Sequence, residues 1–483
     1  MACWPQAKST SRSWIVVLLV FLGLKLTLAF LIFQQPSNAF LPDSYGYEDL
    51  AVNLVQRGSF DVPGEPAVGV IRTPGYPVFI AVIYALAGRV PGWVILVQLI
   101  LDALTALLVW QIGKQIVSDA VGLLAAFLYA ASLNAIGGSL YLLSDTLFTF
   151  VLVCALFFLS RYWRNPRDRW LVIIGALLGL ATLVRPIGLY LAMIWIVFLA
   201  LGQRKSIERR GYQGILLMIL VFSGLVTPWM LRNYALTGRF MLSGTEAMNL
   251  YCCFAPAALA EDERISLDEA RQRVDAPFRY NLNKVEPGQL FRAADYAAQI
   301  VLQHPNGYAK AYLKGVLATL FEPTYKQWLQ LLGVNYSASG FLSKLSMLDF
   351  RGAITSLSEN TSAGFLLAIP LLNGVYTIGV HFLAISGTYI VFKHSRTDNI
   401  SALGLICVIT ILYLVVAPGT GGGLRFRMPA EPLLALLAAV GLARLNSNPA
   451  RLSRVGQTTL PQGKSAQRSD WYRVVHSVSN RSI

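Results

Sequence analysis

Asp43 stands just past the first apolar run, in Pro42-Asp43-Ser44-Tyr45-Gly46-Tyr47, and Arg72 follows in Arg72-Thr73-Pro74-Gly75-Tyr76-Pro77. A carboxylate, a fixed cation and several aromatic rings are thereby gathered at one membrane surface. A carboxylate can take a proton from an attacking hydroxyl. A guanidinium offers a planar fork of donors that matches phosphate oxygens two at a time. The combination suits chemistry on a charged lipid headgroup. Asp43 has a second reading, as the first-turn acid of a helix, where it complements the positive end of the dipole. Spacing alone leaves both open.

More charges recur where a bilayer-embedded chain is expected to avoid them. Asp145 follows Ser144 near the start of an apolar run, and an ionisable residue at membrane depth is a functional-site hypothesis by default. A capping or snorkelling position is its alternative. Lys25 and Asp102 lie nearer mid-span with opposite signs, which favours a structural ion pair. Arg185 precedes Pro186, Arg232 and Asn233 follow Trp229, and Arg425 and Arg427 precede Pro429. With Arg72, five arginines fall at span ends on the face opposite the basic loops. Snorkelling accounts for one or two of them; phosphate recognition accounts for the set.

The remaining candidates carry less. Gly419 to Gly423 can form a backbone anion cradle, but no strand–helix context supports a nucleotide loop, and a flexible turn is the simpler reading. The five cysteines lack metal spacing, and a bridge between the neighbours Cys252 and Cys253 would be strained. The four histidines show no ligand spacing, so no metal site is expected.

Elements must hold these residues, and composition says which kind. The 483 residues are 55% hydrophobic and 13% charged, with a formal net charge of +15. Soluble domains carry about 25% charged residues. The pattern indicates an all-α polytopic membrane protein and excludes an ordinary soluble enzyme. The basic excess fits cytoplasmic loops and anionic membrane lipids rather than nucleic acid.

Predicted crossings are 14–33, 92–113, 120–138, 140–160, 170–185, 186–202, 213–231, 363–392, 400–417 and 428–445, within a bundle of about 10–12 transmembrane helices. The first is read as a retained anchor. Arginines and lysines in 161–169, 203–212, 393–396 and the tail place those loops and both termini inside. Residues 76–88 number thirteen, about 20 Å of helix against a core of about 30 Å, and are read as re-entrant or interfacial.

Two long segments are then external. The first, 34–91, has Tyr47, Leu50, Ala51, Leu54 and Val55 at helical spacing closed by Gly58, which predicts an amphipathic helix on the membrane. The second, 232–362, is polar from Glu261 to Arg292 and apolar enough to be interfacial over Tyr308 to Phe321 and Trp328 to Leu348. Residues 1–445 read as one transmembrane domain and 446–483 as a basic, disordered cytoplasmic tail.

At these residues the chain resembles the GT-C superfamily of integral membrane glycosyltransferases, and within it the protein O-mannosyltransferase and lipid A aminoarabinose transferase group. The loop aspartate Asp43, the turn Arg72 to Pro77, the acid of Ser144-Asp145-Thr146-Leu147-Phe148, and the Arg185-Pro186, Trp229-to-Tyr234 and Arg425-to-Pro429 stretches carry the resemblance. It departs in Ser44, where some members have a second acid, and in having no large folded C-terminal domain.

The resemblance implies a GT-C bundle in a plasma membrane of bacterial type, with the site outside the cytoplasm. It implies inverting transfer of a sugar from a polyprenyl-phosphate donor to a glycan, lipid or protein acceptor of the cell envelope. On that basis Asp43 is the base and Asp145 the second acid. Arg72, Arg185, Arg425 and Arg427 hold the donor phosphate. Tyr45, Tyr76, Arg232 and Asn233 bind substrate, and no cofactor or metal is required. Two competing readings remain: a lipid-linked saccharide flippase without transfer chemistry, and a same-fold ligase or polymerase that consumes a diphosphate-linked oligosaccharide.

Overall fold

The structure, a computed structural model, describes residues 33–203, 209–277, 286–322, 363–394 and 398–445. It also describes Gly23, Lys25 to Thr27, Ala29, Phe30, Trp328, Gln330 and Leu331. Most of the predicted span 14–33, nearly all of Trp328 to Leu348 and the whole tail 446–483 lie outside the described residues. Among the described residues all regular structure is helical, as the composition predicts for a polytopic membrane protein.

The first long loop folds into helices. α1 (Pro42–Arg57) starts with proline at its first position, where the missing N–H costs nothing. Ser44 Oγ accepts the Leu41 N–H at 3.0 Å, and Gly58 ends the helix at φ 67°, a conformation glycine adopts freely. Of the predicted stripe, Tyr47, Leu50 and Ala51 are buried, Leu54 is half-buried and Val55 is exposed. α2 (Gly75–Ala87) is the expected thirteen-residue apolar helix, too short to span.

The apolar helices follow. α3 (Pro91–Ile116), α4 (Asp119–Ala130), α5 (Leu133–Ser139), α6 (Asp145–Arg164), α7 (Asp168–Val184), α8 (Gly188–Gln203) and α9 (Arg209–Thr237) precede a more polar cluster of shorter helices. That cluster runs from Thr245 to α10 (Pro305–Phe321) and packs around Tyr251, Ala255, Leu259, Val274 and Ala297. α11 (Ala363–His394), α12 (Asp398–Val416) and α13 (Glu431–Leu445) complete the bundle. Among the described residues five helices are each long and apolar enough to cross a membrane, or six if α4 and α5 count as one broken span.

Two sequence boundaries are corrected. The predicted crossing 120–138 is two helices bent by 60°. Ser132 breaks it, because its Oγ accepts the Ala135 N–H at 3.2 Å and starts a new helix. The predicted crossing 140–160 begins only at Asp145, since residues 140–144 are turns tied to the first loop by the Leu142 N–H to Ala39 carbonyl bond of 3.0 Å. Asp145 is therefore a first-turn residue and not one already inside a span.

The expected pair of Lys25 with Asp102 is formed and buried, with the Tyr129 hydroxyl donating to the second Asp102 oxygen at 2.5 Å. Both carboxylate oxygens are satisfied, which is what makes a buried charge tolerable. These groups lie apart from the chemistry described next.

Candidate active site

Five segments distant in sequence each deliver one charged side chain to the same place. Asp43 sits in the first turn of α1 and Asp145 in the first turn of α6, so each is held at the positive end of a helix dipole. Arg185 is the residue that ends α7. Arg72 belongs to the turn before α2, and that turn docks on the end of α7. Thr73 Oγ donates to the Val184 carbonyl at 3.2 Å. A Cβ at Gly75 would come within 2.8 Å of the Leu183 carbonyl, so only glycine permits the approach.

Arg425 is placed by the glycine-rich loop. Gly422 packs so tightly on Gly315 of α10 that a Cβ would meet the Gly315 carbonyl at 2.1 Å, and the Gly423 N–H donates to Thr319 Oγ at 3.1 Å. The loop expected as a flexible turn is a close-packing device. It aims Arg425 from the turn Leu424–Arg427.

The charges alternate in one unbroken row: Arg72, Asp43, Arg425, Asp145, Arg185. Arg72 Nη2 donates to Asp43 Oδ1 at 2.7 Å, and Arg425 Nη1 donates to Asp43 Oδ2. Arg425 Nε donates to Asp145 Oδ2 at 2.9 Å, and Arg185 Nη1 donates to Asp145 Oδ1. Three guanidinium groups face two carboxylates, which leaves one positive charge in excess. The row has an open end and a closed end: the Asp43 side chain is 32% exposed and that of Asp145 1%.

A wall of aromatics lies behind the row. Arg72 lies over the Tyr47 ring at 4.7 Å, a cation–π contact. The Tyr47 hydroxyl is 3.4 Å from Ser144 Oγ, beside Asp145. Tyr47 meets Tyr76 edge to face at 5.0 Å, and the buried Tyr76 hydroxyl donates to Gln98 at 2.6 Å. The Phe426 ring carries Arg185 and Arg425 at 5.6 and 5.9 Å. The sequence reading took Tyr47 as a ring near Asp43 and part of the helical stripe, not as a site residue, and did not single out Phe426. The available signal was Tyr47 four residues after Asp43, on the same helical face.

Electrostatics follow from this geometry. Burial pushes the Asp43 carboxyl up, but the Arg425 and Arg72 charges outweigh it and hold the group well below the usual carboxylate range. Burial likewise raises the Tyr47 phenol, and the Arg72, Arg425 and Arg185 guanidinium groups together override it to bring the net shift downward.

The other predicted site residues go elsewhere. Arg427 is two residues from Arg425, about 200° around a helical turn, and faces the opposite way. Its Nε donates to Glu431 at 2.9 Å and its Nη1 to the Leu320 carbonyl at 2.5 Å, so it caps the end of α10. Arg232 lies over the Phe60 and Trp229 rings, which meet edge to face, and donates to the Gly69 and Phe60 carbonyls at 2.6 and 2.9 Å. Asn233 donates to the Leu242 carbonyl at 2.9 Å. Both staple loops to α9. Tyr45 is exposed and packs on Phe40 at 5.2 Å, outside the row, and Tyr76 stands behind Tyr47. The Cys252 and Cys253 thiols are free.

The architecture has known counterparts. The family model described as dolichyl-phosphate-mannose-protein mannosyltransferase matches residues 71–229, which include Arg72, Asp145 and Arg185 but neither Asp43 nor Arg425. An oligosaccharyltransferase from Archaeoglobus fulgidus, in complex with zinc and sulfate, superposes with a TM-score of 0.51 at 14% identity, over 89% of this chain and 49% of that one. The fold is GT-C. The resemblance read from the sequence is borne out at that level.

The same archaeal enzyme with an inhibitory peptide and a dolichol-phosphate gives 0.50 at 12% identity, over 98% of this chain and 55% of that one. ArnT from Cupriavidus metallidurans bound to undecaprenyl phosphate gives 0.39 at 15% identity, over 89% and 78%. The chain spans about half the length of the oligosaccharyltransferase chains it matches. No curated protein sequence matches it.

Proposed function

We propose that this multi-pass protein transfers a sugar from a polyprenyl-phosphate donor to an acceptor hydroxyl, on the extracytoplasmic face of a bacterial plasma membrane. The observation that carries the reading is the alternating row of Arg72, Asp43, Arg425, Asp145 and Arg185. The matched family's name, and the dolichol-phosphate held by the archaeal enzyme of like fold, support a lipid-phosphate donor.

Arg72 and Arg425, at the accessible end, bind the phosphate. Arg185 and Asp145 form the floor: Asp145 is 1% exposed, pairs with both Arg185 and Arg425 and acts by fixing them, so it is a positioning residue. Asp43 accepts the proton of the acceptor hydroxyl. The oxygen bonds to the anomeric carbon as the bond from that carbon to the phosphate oxygen breaks. The electron pair leaves with the lipid phosphate. One displacement inverts the anomeric centre, and the guanidinium groups neutralise the charge that grows on the leaving oxygen. A phosphate leaves without a dedicated general acid.

No metal is given a role, because the arginines supply the cationic charge. Transfer is therefore expected to persist in EDTA. The broken pair α4–α5 is a feature shared with transporters. Incubating purified protein with a polyprenyl-phosphate sugar separates the readings: glycosylated product supports transfer, and lipid movement without product supports transport. Mass spectrometry of lipid-linked sugars accumulating in cells without the protein identifies the donor. A diphosphate-linked oligosaccharide there would favour a ligase.

A further inference from the structure

The base proposed above is bound to the same two arginines proposed to bind the phosphate. Asp43 spends both oxygens on them, Oδ1 on Arg72 and Oδ2 on Arg425. A carboxylate held between two cations keeps a free lone pair on each oxygen but is a poor proton acceptor, because both charges favour its ionised form. The two roles therefore compete in this state.

The surroundings show which partner yields. Arg425 is anchored behind Asp43 by its Nε bond to Asp145, a side chain 1% exposed. Arg72 is anchored by the Tyr47 ring beneath it. Both guanidinium groups thus keep their positions when Asp43 departs. Asp43 has no such second tether: its described side-chain partners are those two arginines, and it is the most exposed member of the row. We infer that Asp43 is an internal occupant of the phosphate site, and that the incoming donor phosphate displaces it from Arg72 and Arg425, thereby freeing it to act as the base.

The exchange is between like ligands. A carboxylate and a phosphate each offer two oxygens in the plane of a guanidinium fork. Freed from two cations, the carboxylate regains proton affinity, since an opposite charge within a few ångströms is what lowered it. The base is then competent only when a donor is present. In the empty enzyme it is neutralised and cannot activate water or stray hydroxyls against the site.

This inference rests on the phosphate-binding reading, and the test separates the two. Full-length protein in detergent is titrated with farnesyl phosphate, a short polyprenyl phosphate, at one fixed pH so that titration of the probe cancels between variants. If Asp43 competes for the arginines, Asp43→Asn abolishes transfer yet binds farnesyl phosphate about tenfold tighter. That size is expected when hydrogen bonds to a charged group need not be broken before the ligand enters. Arg72→Ala added to Asp43→Asn removes the gain.

Glu48→Gln controls for a general loss of negative charge. Glu48 is buried on the same helix but pairs with Tyr84 and Arg89, at 3.2 Å each. Its neutralisation should leave affinity as in the wild type; equal tightening would overturn the inference. So would Asp43→Asn that binds as the wild type or more weakly, while the phosphate reading stood. If neither wild type nor any variant binds the probe, the phosphate reading itself fails and takes the inference with it. Circular dichroism checks folding, and Asp43→Ser repeats the titration if the asparagine variant is not native.

Discussion

Arg425 and Asp43 are 382 positions apart in the chain and joined by an ion pair at the accessible end of the charged row. Arg425 turns its other edge, Nε, to Asp145. One guanidinium thus links the exposed acid to the buried one.

Asp43→Asn removes the proton acceptor while keeping shape, so transfer should vanish with the protein still folded and inserted. Arg72→Ala should lower the rate by about 10²–10³, the usual loss for one group that stabilises developing negative charge. Product formation from a polyprenyl-phosphate sugar measures both. Near-normal turnover of Asp43→Asn would remove that residue as the base.

Asp145→Asn should behave differently, because Asp145 is buried between two cations. Removing one member of a buried ion pair costs about 3–5 kcal/mol, since the partner charge is left uncompensated. A fall in thermal unfolding temperature should accompany the loss of activity. For Asp43→Asn, at the open end, the fall should be much smaller. Equal thermal shifts in the two variants would contradict the open-to-closed gradient.

Tyr47 holds Arg72 by its ring face. Tyr47→Phe preserves that face and should retain most activity; Tyr47→Leu removes it and should raise the KM for donor more than it lowers kcat. A cation–π contact in such a setting contributes about 1–2 kcal/mol, or roughly tenfold in affinity. If Phe and Leu are equally impaired, the hydroxyl near Ser144 is what matters instead.

The pH dependence follows from the sign of the Asp43 shift. A carboxyl held below its unfolded value contributes stability that is present above about pH 4 and lost as pH falls through the lower folded value. From about pH 5 to 8 the free enzyme keeps Asp43 ionised, so kcat/KM should show no acid limb from this group. If donor binding releases Asp43, its proton affinity rises in the complex, and kcat should acquire an acid limb that kcat/KM lacks. A released carboxyl titrates near pH 4, so initial rates from about pH 3 to 8 at saturating and limiting donor decide it.

Several features could be read from residues alone because they depend on local order. The apolar runs specify helices. Proline at the start and glycine at the end bound α1, and its apolar stripe names the buried face. Opposite charges at Lys25 and Asp102 announced their pair. The arginines stood out because their position at span ends is costly and needs a reason.

Which of those arginines meet was settled only by the packed molecule. Arg425 and Arg427 look equivalent in a string, but a helical turn sends them to opposite sides, one to the row and one to the end of α10. Arg232 and Asn233 share the motif yet staple loops, because Phe60, Gly69 and Leu242 bring carbonyls to them. Tyr45 and Tyr47 differ by two positions, about 200° on α1, so one ring faces Phe40 while the other supports Arg72. Sequence determined the chemistry on offer and the helices that carry it. The meeting of Asp43, Arg72, Asp145, Arg185 and Arg425 needed contacts across as many as 382 positions, made by glycine-permitted close approaches at Gly75 and Gly422 that no local pattern encodes.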